Sequence, residues 1–126
     1  MQEAKFYRCK HCGNLIAMVN DSGVPVVCCG EPMTELVPGA VDAAVEKHLP
    51  VAERKGDLLT VSVGSVAHPM TAEHYIQWVC LQTDKGAQRK VLNPGDKPEV
   101  TFALGGDKPL VLFAYCNLHG LWRTQL

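Results

Sequence analysis

Four cysteines, Cys9, Cys12, Cys28 and Cys29, fall in the first 30 residues, within a segment too short to fold on its own apolar surface. A unit of ~40 residues or fewer buries too little to be stable alone and is usually stapled by a metal, by disulfides or by a partner. The opening stretch MQEAKFYRCK lacks the apolar run of an export signal, so we expect a cytoplasmic protein in a reducing compartment. There, clustered thiols hold metal more often than they pair. In Cys9-Lys10-His11-Cys12 two thiolates share one tight loop, three positions apart, where both can reach one ion. Cys28 and Cys29 are adjacent, and neighbouring side chains of an extended segment point to opposite faces. Bringing both sulfurs to one ion therefore requires a local bend, for which Gly30 offers backbone freedom. Four thiolates arranged tetrahedrally suit zinc or a single iron, and spacing alone does not choose between them. Structural zinc and a vicinal disulfide are the plainer alternatives, and His11 reads as a solvated loop residue.

The rest of this first module alternates short apolar runs with turn residues, which predicts three short strands with turns at Gly13-Asn14 and Asp21-Ser22-Gly23. Val37-Pro38-Gly39-Ala40 then interrupts any strand. We place a four-cysteine module at 1–36 and a second domain at 37–126, with the linker at about 37–41. The second domain reads as all-β. Apolar residues recur at every second position in Leu59–Val63 and in Val100, Phe102 and Leu104, whereas Tyr75–Leu81 and Leu110–Tyr115 are apolar on both faces. Turn signals at 84–86, 93–96 and 105–107 separate these runs, as in an antiparallel β-sandwich. Only Val41–His48 suggests a helical turn, with Asp42 as its cap.

Charge excludes some classes of function. Twelve basic residues face 13 acidic ones, for a net charge of −1, so nothing supports nucleic-acid binding. No apolar run approaches the ~20 residues that span a bilayer.

A second constellation occupies the domain that is poor in cysteine: His48, His68, His74, Cys116 and His119, each in a loop or at a strand end. Cys116-Asn117-Leu118-His119 lets sulfur and imidazole reach one ion from one loop. Pro50 and Pro69 restrict the chain beside two of the histidines. Zinc is usually satisfied by four ligands. Four imidazoles and a thiolate suit a five-coordinate iron with one open position, an arrangement for redox chemistry on a small molecule. Cys80, in mid-strand, reads as a buried small hydrophobe.

These motifs resemble the desulfoferrodoxin family of two-iron superoxide reductases over nearly the whole chain. Tyr7–Asn14 and Cys28–Met33 resemble the desulforedoxin-type module. Glu46-Lys47-His48, Val66–Met70, Glu73–Ile76 and Tyr115–Gly120 resemble the neelaredoxin-type domain, an immunoglobulin-like sandwich. The resemblance implies one iron in a distorted four-sulfur tetrahedron. It implies a second, square-pyramidal iron with His48, His68, His74 and His119 as equatorial ligands and Cys116 as the axial thiolate. Glu46 would occupy the sixth position of the oxidised iron, and Lys47 would attract superoxide and help protonate the product. The implied reaction is one-electron reduction of superoxide to hydrogen peroxide. A rubredoxin-like electron donor and a homodimer are implied with it. Because Glu46 and Lys47 are neighbours, we expect them on opposite sides of an extended, mobile loop, exchanging with oxidation state.

Overall fold

A computed structural model describes residues 2–126. The chain divides into two compact units, one running to Val37 and the other spanning Pro38–Leu126.

Among its described residues the first unit contains five short strands rather than three: β1 (Lys5–Arg8), β2 (Leu15–Met18), β3 (Val27–Cys28), β4 (Glu31–Pro32) and β5 (Thr34–Glu35). They form a three-stranded sheet in the order β2-β1-β5 and a separate two-stranded β3-β4 ribbon. The two-residue strands escape sequence reading because they are too short to show any period. Their sheet partners hold them: Tyr7 pairs with Glu35 and Cys28 with Glu31. At the expected second turn, the Gly23 N–H donates to the Asp21 carboxylate at 2.8 Å.

The second unit is a sandwich of two antiparallel sheets. After a single helical turn, α1 (Val45–His48), come β6 (Pro50–Lys55), β7 (Leu58–Val63), β8 (Ile76–Thr83), β9 (Gly86–Val91), β10 (Glu99–Ala103), β11 (Pro109–Cys116) and β12 (Gly120–Gln125). One sheet has the order β10-β7-β6 and the other β12-β11-β8-β9. The inward faces supply the core, including Val61, Val63, Ile76, Val79, Leu81, Phe102, Leu112 and Ala114. Cys116 belongs to the same cluster and is fully buried.

The four runs read from sequence become β7, β8, β10 and β11. Of these β10 is an edge strand with one face still buried in alternation, whereas the unread strands β6, β9 and β12 are edge strands without that pattern. Their solvent-facing positions carry polar residues, as on β9, where most residues are exposed, so the apolar signal that marks the other four is missing. The helical turn is real but shorter than expected. Its N-cap is Ala44, with no side-chain bond, and not Asp42.

Candidate metal centres

The first cluster is built by two tight turns. In the Cys9–Cys12 loop, the Gly13 N–H donates to the Cys9 carbonyl at 3.0 Å and the Cys9 N–H to the Asn14 carbonyl at 2.8 Å. The folded loop aims backbone N–H groups at sulfur. Cys12 N–H donates to Cys9 Sγ at 3.5 Å, and Asn14 N–H to Cys12 Sγ at 3.4 Å. Hydrogen bonding from Cys12, foremost, and from His11 pulls the Cys9 thiol down to about 6. Hydrogen bonding to the sulfurs of Cys9, Cys12 and Cys28 favours the protonated thiol and, with burial, pushes Cys29 up to about 12. The bend demanded by the adjacent cysteines lies at Cys29 itself. With φ +52° it is the only non-glycine residue among those described with a positive φ. The four sulfurs lie within 4.8 Å of one another, and none is in a disulfide. Cys12 and Cys28 are 3.6 Å apart, close to the ~3.8 Å edge of a tetrahedron with metal–sulfur bonds of about 2.3 Å. His11 is exposed and pairs with Glu31 at 3.2 Å, outside the sulfur cluster.

The second cluster gathers four imidazoles in a square. Ring centroids around its edge are separated by 4.6 Å (His48–His68), 4.7 Å (His68–His74), 5.0 Å (His74–His119) and 4.9 Å (His119–His48). His48 and His74 face each other across a diagonal at 6.4 Å. Edge neighbours stand nearly perpendicular, at 77–84°, like the blades of a propeller. Donor atoms of His48, His68, His74 and Cys116 lie within 4.8 Å of one another. His119 stands beside these four, its Nδ1 3.1 Å from His48 Nε2 and 4.0 Å from Cys116 Sγ.

Hydrogen bonds decide which ring nitrogens face inward. His48 Nδ1 lies 2.6 Å from the Ala44 carbonyl and His68 Nδ1 2.7 Å from the Pro69 carbonyl. A carbonyl only accepts, so both Nδ1 atoms carry the hydrogen, and both Nε2 atoms keep a lone pair in the neutral ring. Yet these two Nε2 atoms are 3.1 Å apart, and two lone pairs make no hydrogen bond. Two nitrogens bound at right angles to one ion at about 2.1 Å would stand ~3.0 Å apart, so a shared cation resolves the contact. His74 Nε2 gives the same answer: it is buried and has no hydrogen-bond partner. The donor set therefore fits a metal.

Burial holds His48, His68 and His74 below the ordinary histidine pKa, His68 at about 4, so the rings are neutral and ready to bind. Burial raises the Cys116 thiol, partly offset by N–H groups of His119 and Leu118. Among buried side chains, Trp122 touches the site on two sides. Its ring stacks on His48 at 4.8 Å, and its Nε1–H donates to the His119 carbonyl at 3.2 Å. Sequence reading passed over it because nothing local to residues 121–126 points to the histidines. Only the β11–β12 pairing brings Trp122 there.

Glu46 and Lys47 lie on α1, both exposed. They do not occupy an extended loop: successive residues of a helical turn are ~100° apart around the axis, not opposed. The turn is also anchored. The Val66 N–H donates to the Glu46 carbonyl at 3.0 Å and the Gly64 N–H to the Leu49 carbonyl at 2.8 Å.

Comparison with known proteins agrees with this geometry. Residues 1–36 match the family model described as desulfoferrodoxin, N-terminal domain, and residues 40–125 match that described as desulfoferrodoxin. A desulfoferrodoxin from Syntrophotalea carbinolica is 47% identical over 124 residues, covering 98% of each chain. One from Nitratidesulfovibrio vulgaris is 46% identical over 121 residues, covering 96% of this chain and 95% of that one. Among solved structures, the superoxide reductase from Treponema pallidum aligns with a TM-score of 0.82 at 47% identity, covering 98% of this chain and 100% of that one. Two sulfur- and histidine-lined clusters on this fold, matched along nearly the whole sequence, place the chain in the desulfoferrodoxin family.

Proposed function

We propose that the chain is an oxidoreductase that converts superoxide to hydrogen peroxide, consuming one electron and two protons per superoxide. Its cofactors are two iron ions. Cys9, Cys12, Cys28 and Cys29 hold the first. His48, His68, His74, His119 and Cys116 hold the second. The observation that carries this reading is the square of imidazoles beside a fully buried cysteine, with the unpartnered His74 Nε2 in it. When bound in that square, iron supplies the single electron that superoxide requires.

The protein's own groups do the rest. Carbonyls of Ala44 and Pro69 lock two rings so that little reorganises between oxidation states. Cys116 lies on the core side, while His74 and His119 are only half-buried, so a small anion approaches from their side. Residues 37–126 carry nine basic and nine acidic side chains, which leaves no net field for steering. Attraction must be local. Lys47 meets that need: after burial and the neighbouring histidines, its charge is among the causes that lower His74, and it also lowers His48. An exposed ammonium there draws the anion in and gives a proton to the departing peroxide, directly or through water. Glu46, one residue earlier on the same turn, takes the solvent side of the site in the oxidised enzyme. Side-chain rotation on an anchored turn is enough for that exchange.

Electrons arrive from a rubredoxin-like carrier, and the protein acts as a cytoplasmic homodimer. The exposed valines Val19, Val24, Val26 and Val27 of the small first unit support pairing. No helix among the described residues is long and apolar enough to cross a membrane.

Oxygen-electrode stoichiometry tests the reading. The reduced, iron-loaded chain given superoxide should form peroxide without releasing dioxygen, and turnover should need an added reductant. Dioxygen release without a reductant would make it a dismutase instead.

A further inference from the structure

The histidines of the square are oriented by different means. His48 and His68 are fixed through their own rings, each bonded to a carbonyl. For His74 the ring nitrogen that is buried, Nε2, is unpartnered. Its aim has to come from its backbone.

That backbone is held on both flanks by a single side chain. The Tyr75 N–H donates to Asn117 Oδ1 at 2.9 Å, and Asn117 Nδ2 donates to the Glu73 carbonyl at 2.8 Å. The Asn117 N–H adds a third bond, to the Tyr75 carbonyl at 3.2 Å. Asn117 directly follows Cys116 and precedes His119 by two residues. The bonds therefore run from the loop that carries two donors to the residues on either side of a third.

The sheet explains why a side chain is needed here. The β8–β11 ladder is regular from Val111↔Gln82 to Tyr115↔Trp78 and then shifts register, with Cys116 opposite Ile76. Such a bulge ends regular pairing. Beyond it, Asn117 continues the pairing with its amide, which offers a donor and an acceptor at one tip. Thr71 also bonds the N–H and carbonyl of His74 but belongs to the same loop, so it cannot set that loop against Cys116.

We infer that Asn117 is a positioning residue that sets His74 against Cys116 and His119. This rests on the proposal that His74 is an iron ligand.

The test uses the full iron-loaded chain with Asn117→Leu, Asn117→Asp and, as reference, His74→Ala. Two properties are read: the electron paramagnetic resonance signature of the oxidised second iron, and its rate of loss to a chelator. The four-cysteine iron serves as internal control. Asn117→Leu should shift the signature toward that of His74→Ala and speed loss of the second iron by about 10- to 100-fold, leaving the first iron unchanged. Asn117→Asp, which keeps the acceptor but not the donor, should fall between. If both Asn117 variants match wild type while His74→Ala does not, the inference is wrong. If His74→Ala itself matches wild type, the ligand assignment falls and takes the inference with it. Should Asn117→Leu misfold, losing the first-iron spectrum as well, Asn117→Asp decides by the same criteria.

Discussion

At the scale of single residues, Gly64 and Lys47 show how tightly the second site constrains its surroundings. Gly64 has φ +84°, and a Cβ built there would lie 2.3 Å from the Val66 carbonyl oxygen, 2.6 Å from that of Lys47 and 2.8 Å from that of Glu46. These are backbone atoms and cannot turn aside. Gly64→Ala should therefore cost at least ~2 kcal/mol in urea unfolding of the iron-loaded protein, since it adds left-handed strain to a backbone clash. It should also slow the reaction with superoxide, because α1 carries both Lys47 and His48. Lys47→Ile tests the electrostatic role separately. We expect the second-order rate in pulse radiolysis to fall about tenfold and to lose most of its dependence on ionic strength. An unchanged rate would remove Lys47 from the mechanism. The histidines and cysteines were legible in the sequence because their types and spacings are rare together. Trp122 and Asn117 were not, because ordinary residues acquire such roles only through strand pairing.

At the scale of elements, the burial pattern along each strand decides what could be read, and even the edge strand β10 shows its alternation. β8 is buried on nearly every residue and announces itself; β9 is mostly exposed and does not. The turn α1 was visible only as a weak tendency, since its stability comes from loop contacts at Glu46 and Leu49 and not from a cap. That origin undoes the expectation of an extended loop placing Glu46 and Lys47 on opposite sides. The elements that bear His48, His68 and His74 also give the metal-free protein a definite pH response. Burial holds these rings neutral in the fold, His68 down to about 4, whereas the unfolded chain takes up protons near 6.5. Folded pKa values below the unfolded ones mean that the contribution to stability is fully present above about pH 6.5. It is lost as pH falls through that value toward 4. Urea midpoints of the metal-free protein should thus drop between pH 7.5 and 5, and bound iron should raise the midpoints while steepening the drop, because it keeps protons off the same nitrogens in the folded state only. Equal midpoints would contradict the assigned burial.

At the scale of the whole molecule, the two units depend on metal to different degrees. The first has short strands and few buried apolar side chains, Phe6 and Cys9 among them, whereas the second has a continuous sandwich core. Cys29→Ser should therefore abolish the visible spectrum of the first iron and collapse the amide resonances of residues 2–37 toward random-coil shifts. The spectrum of the second site should survive. Loss of both spectra would mean that the larger unit cannot hold its metal without the smaller. The most direct test of the account is a crystal structure of the purified protein, with diffraction recorded on either side of the iron absorption edge. It should show two iron peaks per chain, one within the four sulfurs and one ringed by His48, His68, His74 and His119 with Cys116 Sγ bound. Zinc at the second position, or an iron there that leaves Cys116 or any of the four imidazoles unbound, would contradict it.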